Sequence, residues 1–422
     1  MSEHDFNTLL EIGRPPNVKK LFPHSRALLV SGKVVDRAMR LKTKAISIAA
    51  NGRSYFDLRG ALQAAQRANS ALIVEIAKSE GTYCAVNFWN IARLVDGVSN
   101  ELGITVPVAI HADHYGIKKP EDVPGSKIEI PSMFDAGITS IAIDASHMPD
   151  AQNLLANIAL YNYIPSWASL ETEVGEIKGE QGLSTVADAS FLIQGLNAHT
   201  IFADWIALNN GSVHGIEASG QGIQVELTAE IHEKLQPYGI SGAQHGTSGN
   251  SSERLRQIAE QTHTTKANVA TALQMVSWGV EVNDYGNARL DDDGNFIKVK
   301  GEGVTEENWD KMVAYAAQQG WKSGDFKKLN LPFENTLLGQ ERHVRERMCK
   351  RVEEFVYSML VDVFNAEDSA DIAKDLLLKA GTYDLGGKAE RLEDPADWTE
   401  EKIIERAKGL DVNDGPEGDF ED

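Results

Sequence analysis

Four short segments carry side chains able to bind a metal ion and move protons: HADH (111–114), LETEVG (170–175), NNGSVHG (209–215) and AQHGTSGN (243–250). A histidine from HADH (His111 or His114) can join His214, His245 and a carboxylate, Glu171 or Glu173, around one ion. Neutral imidazole with carboxylate suits zinc or a similar divalent metal, and a catalytic site keeps one coordination position open. Glu171 and Glu173 stand two residues apart and so share one face of an extended strand. Each feature also has a plainer reading. A lone histidine at a strand end is more often a hydrogen-bonded structural group. Glu171 and Glu173 could be inward residues paired with lysines, and GTSG could be an ordinary turn. The coincidence of all four segments favours a site.

HGTSGN (245–250) adds a second property. Its glycines expose backbone N–H groups at a turn entering a helix, which makes an anion site suited to phosphate.

The elements that must position these groups follow from an alternation along the chain. Short apolar, β-branched runs occur at 45–50, 71–77, 107–113, 140–145, 167–174, 204–210, 240–245 and 265–270. Amphipathic segments such as YFDLRGALQAAQRAN (55–69) lie between them. Eight strand–helix alternations predict an α/β fold, a (β/α)8 TIM barrel with additional C-terminal helices. Active groups in that fold sit at the C-terminal ends of strands, where all four segments fall. The reading divides the chain into a helical leader of one or two short helices (1–44), the barrel (45–282), a hairpin insertion with C-terminal helices (283–380) and an acidic tail (381–422). The last twelve residues hold six acids and no base. DDDG (291–294) reads as a turn, because it lacks the alternating ligands and terminal Glu of a calcium loop.

The 422 residues carry 41 basic and 62 acidic side chains, a net charge of −21, which argues against nucleic-acid partners. Hydrophobic residues at 42% exclude a largely disordered chain. No run of 18 apolar residues exists, so no membrane-spanning segment is expected. Two cysteines and a polar N-terminus without a secretory core fit a cytoplasmic location.

In order and spacing, DH, ETEVG, GSVHG, HGTSG and the K-x-N-V-x-T strand (266–271) resemble the class II, metal-dependent fructose-bisphosphate aldolases, as does SHMPD (146–150). The resemblance covers roughly residues 45–280 and the C-terminal helix. It implies zinc ligands at His114, His214 and His245, with Glu173 near the metal, and Asp113 as the acid/base for the C4 hydroxyl. It implies phosphate and monovalent-cation (Na+ or K+) contacts at Gly215, Gly246 and Ser248, and substrate contacts at Asn51, Asn268 and Thr271. Glu180, or as a weaker choice Glu176, matches the loop base for the ketone substrate. Reversible cleavage of fructose 1,6-bisphosphate through a metal-stabilised enediolate follows, with a homodimer or homotetramer expected. Arg342, Arg345 and Arg347 are candidates for a residue reaching a partner's site. The chain departs from the family pattern at Ala270 and Ala272, where acids are usual, and at AKSEG (77–81), where Ser79 is a stand-in for the SNGG-like segment. No lysine follows His214. These departures raise alternatives: another ketose such as tagatose or sedoheptulose bisphosphate, or a silent metal- or sugar-phosphate-binding relative. A barrel metallohydrolase is the most distant reading. Zinc is not separable here from cobalt, iron or manganese.

Overall fold

A computed structural model describes residues 3–175, 182–211, 222–247, 250–283 and 286–410. Nine strands pair in parallel among them: β1 (Leu29–Val30), β2 (Ser47–Asn51), β3 (Leu72–Ala77), β4 (Val108–Gly116), β5 (Ser140–Asp144), β6 (Ser169–Val174), β7 (Trp205–Leu208), β8 (Ser241–Gln244) and β9 (Thr264–Val269). Strands β2 to β9 follow one another around a closed ring, sealed by the β9–β2 pairing. This is the TIM barrel with flanking helices that the alternation predicts. The strands are buried along nearly their whole length, as parallel strands covered by crossover helices must be.

The short β1 is additional. It pairs Leu29 and Val30 with Val108 and Ala109 of β4, whose later residues pair with β5. The leading segment therefore enters the sheet, and it holds three helices (Glu3–Ile12, Pro16–Leu21 and Gly32–Lys42) where one or two are expected.

Local rules explain the outer helices. In Tyr55–Arg67, Ser54 caps the first turn by accepting from the Asp57 N–H at 3.3 Å, and Leu58, Ala61, Leu62 and Ala65 turn inward. Gly60 lets this helix press against the long helix Arg342–Ser358, since a Cβ there would meet Val352 Cβ at 2.5 Å. A second apolar cluster joins Trp278, Phe296, Trp309, Phe326 and Met348 under the segment after the barrel. Leu290 bridges Phe296 across the DDDG turn, and the Asp291 carboxylate accepts from the N–H groups of Asp293 and Asn295. No helix among the described residues is long and apolar enough to cross a membrane.

Within the expected acidic tail (381–422), residues 381–410 pack against the barrel. Trp398, and Ile403 from the helix Glu400–Ala407, are buried against the barrel helices. Lys388 reaches the N-terminal rim of the barrel. Its Nζ donates to Asp36 Oδ2 at 2.6 Å, the Asp204 carbonyl at 2.8 Å and Ser241 Oγ at 3.0 Å. The apolar anchors are spaced too widely among acidic residues to show as a pattern. Lys388→Ala strands the fully buried Asp36 carboxylate, and is expected to cost about 3–5 kcal/mol. A thermal midpoint equal to that of the wild type would contradict the packing described.

Candidate active site

The site begins with an irregularity in β4. Residues Ala112 and Tyr115 pair with Ile141 and Ile143 of β5, so β4 carries one extra residue between them. His114 takes the left-handed conformation, φ 42°. Successive residues of a regular strand point to opposite faces. The bulge breaks that alternation and turns both Asp113 and His114 toward the barrel mouth. Strain of this kind persists only where the surroundings over-determine it.

Below them lies a polar layer inside the barrel. Lys266 of β9 is fully buried, with its Nζ 3.0 Å from Glu171 Oε2, 3.2 Å from Glu75 Oε2 and 3.4 Å from Asp113 Oδ1. Burial alone would push the ammonium toward neutrality, but these carboxylates outweigh it and keep Lys266 charged. Burial, with Asp113 beside it, raises the Glu75 carboxyl well above the usual range. Burial also pushes the Asp113 carboxyl up, yet His114 and Lys266 override it and hold Asp113 below the ordinary range, ionised. Asn268 completes the fit, its Nδ2 lying 3.1 Å from both Asp113 oxygens.

His111 remains neutral, its pKa lowered to about 3 by burial and by Lys266. Ser140 Oγ accepts from Ser169 Oγ at 2.6 Å and lies 2.5 Å from His111 Nδ1. The His111 Nε2 lies 3.4 Å from Glu171 Oε2.

Above this layer the donor atoms of His114, His245, Glu173 and Asp144 crowd together. The two imidazole rings stand 4.4 Å apart at 71°. His114 Nδ1 is 3.2 Å from Glu173 Oε1 and 3.4 Å from Asp144 Oδ2. His245 Nε2 lies 2.9 Å from Glu171 Oε1, which leaves its Nδ1 facing Glu173 Oε2 at 3.8 Å. A carboxylate behind a histidine orients the ring and raises its basicity as a metal ligand. Donor atoms of Asp113, His114 and His245, and likewise of His114, Asp144 and Glu173, fall within 4.8 Å of one another. Glu173 Oε1 is buried without a hydrogen bond among the described residues, despite its closeness to the imidazole. Imidazole and carboxylate in that arrangement fit a divalent cation.

The sequence-derived residues divide clearly. Asp113, His114, Glu173, His245 and Asn268 meet in one place. Asn51 and Thr271 are linked through Arg53 and Glu80 at the neighbouring strand ends. Ser79 lines a pocket of about 590 Å3 that opens from His114 and Asp144 past Lys78, Thr82 and His147. Gly246 has φ 57°, a conformation that suits glycine, and its carbonyl accepts from Asn250 Nδ2 at 3.1 Å. Thr247 Oγ1 donates to the Asn268 carbonyl at 2.5 Å and ties this turn to β9. Glu176, Glu180, His214, Gly215 and Ser248 lie outside the described residues.

Sequence reasoning did not assign Asp144, Lys266, Glu75, Arg53 or Glu80. An acid closing the SIAID strand and a lysine opening TKANV are the signals that could have found the first two. Both sit in strands that otherwise read as apolar or small.

Residues 33–324 match the family model described as fructose-bisphosphate aldolase class-II. A fructose-bisphosphate aldolase of Staphylococcus aureus is 30% identical over 222 residues, covering 51% of this chain and 72% of the relative. One of Streptococcus pneumoniae is 28% identical over 224 residues, covering 51% and 69%. Two solved structures share the fold. The fructose-bisphosphate aldolase of Campylobacter jejuni has a TM-score of 0.53 at 18% identity, covering 81% of this chain and 97% of that one. The YdjI aldolase of Escherichia coli K12 has a TM-score of 0.53 at 16% identity, covering 81% and 99%. With the matched model spanning more than half of its length, the chain belongs to the class II fructose-bisphosphate aldolase family.

Proposed function

We propose that this chain is a zinc-dependent aldolase that reversibly cleaves fructose 1,6-bisphosphate to dihydroxyacetone phosphate and glyceraldehyde 3-phosphate. The observation that carries the reading is one ionised carboxylate, Asp113, clamped by Asn268 and Lys266 beside the His114, His245 and Glu173 donor set. A divalent ion held there, with His214 completing the set, supplies Lewis-acid polarisation of the ketose carbonyl.

The chain's own residues do the rest. Asp113 accepts the C4 hydroxyl proton as the C3–C4 bond breaks, and returns it in condensation. Lys266 and Asn268 hold that carboxylate in one orientation, so little reorganisation accompanies the transfer. Glu180, or Glu176, from the loop after β6 exchanges the C3 proton of dihydroxyacetone phosphate. Backbone N–H groups around Gly215, Gly246 and Ser248 take the phosphate, a remote contact whose binding energy positions the reacting carbons. No Schiff-base lysine is required, and Lys266 is held as a charged ammonium, unsuited to attack a carbonyl.

Ala270 favours a second reading, in which tagatose or sedoheptulose bisphosphate is the better substrate. Triose phosphate release from the three sugars, before and after EDTA and after zinc is added back, tests both. Activity on fructose 1,6-bisphosphate that falls at least about 100-fold with EDTA and returns with zinc is the expected result. Cleavage of only another ketose would select the second reading. Activity untouched by chelation, or absent on all three sugars at full zinc occupancy, would overturn both.

A further inference from the structure

The loop after β3 turns an acid back into the barrel. Glu80 is 2% exposed, and its Oε2 accepts from Asn51 Nδ2 at 2.7 Å and from the Ala77 N–H at 2.8 Å. Its Oε1 accepts from Arg53 Nε at 2.5 Å. Arg53, 5% exposed, extends Nη1 to Gln274 Oε1 at 3.2 Å and Thr271 Oγ1 at 3.5 Å. Three neighbouring pieces of the rim, the ends of β2 and β3 and the helix after β9, are thus pinned to one ion pair.

The pair settles which way an amide points. Asn51 must turn Nδ2 to the carboxylate, so its Oδ1 faces away. That oxygen is buried, on a side chain 3% exposed, and has no hydrogen-bond partner among the described residues. Ala49 pairs with Asn268 across β2 and β9, and Asn51, two residues on, shares its face. Asn51 therefore points into the barrel on the side where Asn268 meets Asp113. Asn268 repeats the pattern. Both Asp113 oxygens take its amide, and its Oδ1 is likewise buried without a partner among the described residues. In both amides an N–H is turned to a carboxylate, and a buried carbonyl oxygen is left as an acceptor. Acceptors of this kind suit hydroxyl groups and repel anions. Ala270, just past the end of the neighbouring β9, has no side chain able to hold Asn51 instead.

We infer that Arg53 and Glu80 are positioning residues that lock the Asn51 amide, so that its carbonyl oxygen receives a hydroxyl of the sugar. The inference rests on the aldolase reading for the identity of that ligand, and on geometry for the lock itself. It makes substrate hydroxyl recognition depend on an ion pair in the β3 loop.

Steady-state kinetics on the ketose that the wild type cleaves best, with E80Q, N51A and the double variant, provide the test. E80Q is expected to raise KM about 10-fold while kcat stays within about 3-fold, since a hydroxyl contact common to ground and transition state is weakened. The double variant is expected to match N51A alone, because both changes remove one interaction. An unchanged KM in E80Q, or losses that multiply in the double variant, would overturn the inference while leaving the aldolase reading intact. If the wild type cleaves no ketose, that reading fails, and the crystal structure of E80A decides the lock. An Asn51 amide turned away from its present orientation over an unmoved β2 backbone supports it. An Asn51 that keeps its orientation overturns it.

Discussion

Asp113→Asn is expected to lower kcat for ketose cleavage by about 10²–10⁴-fold with little change in KM. The substitution keeps the shape of the side chain and the contacts that a carbonyl oxygen can make with Asn268 and Lys266. It removes the basic oxygen that would take the C4 hydroxyl proton. Measuring zinc content beside kcat separates two roles. Asp113, His114 and His245 have donor atoms close enough together to share an ion. A variant that loses both metal and activity would make Asp113 a ligand. A variant that keeps its metal and more than about a tenth of its rate would remove it from proton transfer altogether.

The second large effect belongs to Lys266, which no local motif marks. Lys266→Met takes the one cation from a buried layer containing Glu75, Asp113 and Glu171. Burying a carboxylate without its partner costs about 3–5 kcal/mol, and here more than one is stranded. The expected outcome is a large fall in thermal midpoint together with a loss of cleavage, because Asp113 and the Glu171 that orients His245 both lose their anchor. Adding Glu171→Gln is expected to recover part of the stability, since one stranded charge disappears, but not the activity. A K266M variant that is as stable and active as the wild type would show the ammonium to be dispensable.

How much of this was legible in the sequence depends on the range of the interactions. The strands were readable because β-branched runs alternate with amphipathic ones, a signal carried by adjacent residues. Residues 140–145, for example, contain β5 almost to the residue. That donor groups would gather at one rim was readable because the barrel dictates that strand ends converge, while the resemblance singled out His114, Glu173 and His245, whose donor atoms lie close together. The bulge at Asp113–His114 was not, since it exists only as a mismatch in register between β4 and β5. Lys266 and Glu75 were missed for a similar reason. Each is a single charged residue in a short buried strand, and only the closed ring shows them facing one another. Arg53 and Glu80 are 27 residues apart and meet only because β2 and β3 are neighbours. Trp398 and Lys388 lie in a stretch that reads only as an acidic tail, and their burial depends on groups supplied by elements far away in the chain.

The central claim is that His114, His245 and Glu173 share a divalent ion beside Asp113. The most direct measurement is an anomalous difference map at the zinc edge from crystals of the zinc-loaded protein. The account predicts one strong peak within about 2.0–2.2 Å of imidazole nitrogens of His114 and His245. Glu173 should lie close to that peak, with Asp113 outside bonding distance. A zinc peak elsewhere in the molecule, or none at this position in fully loaded crystals, would contradict it.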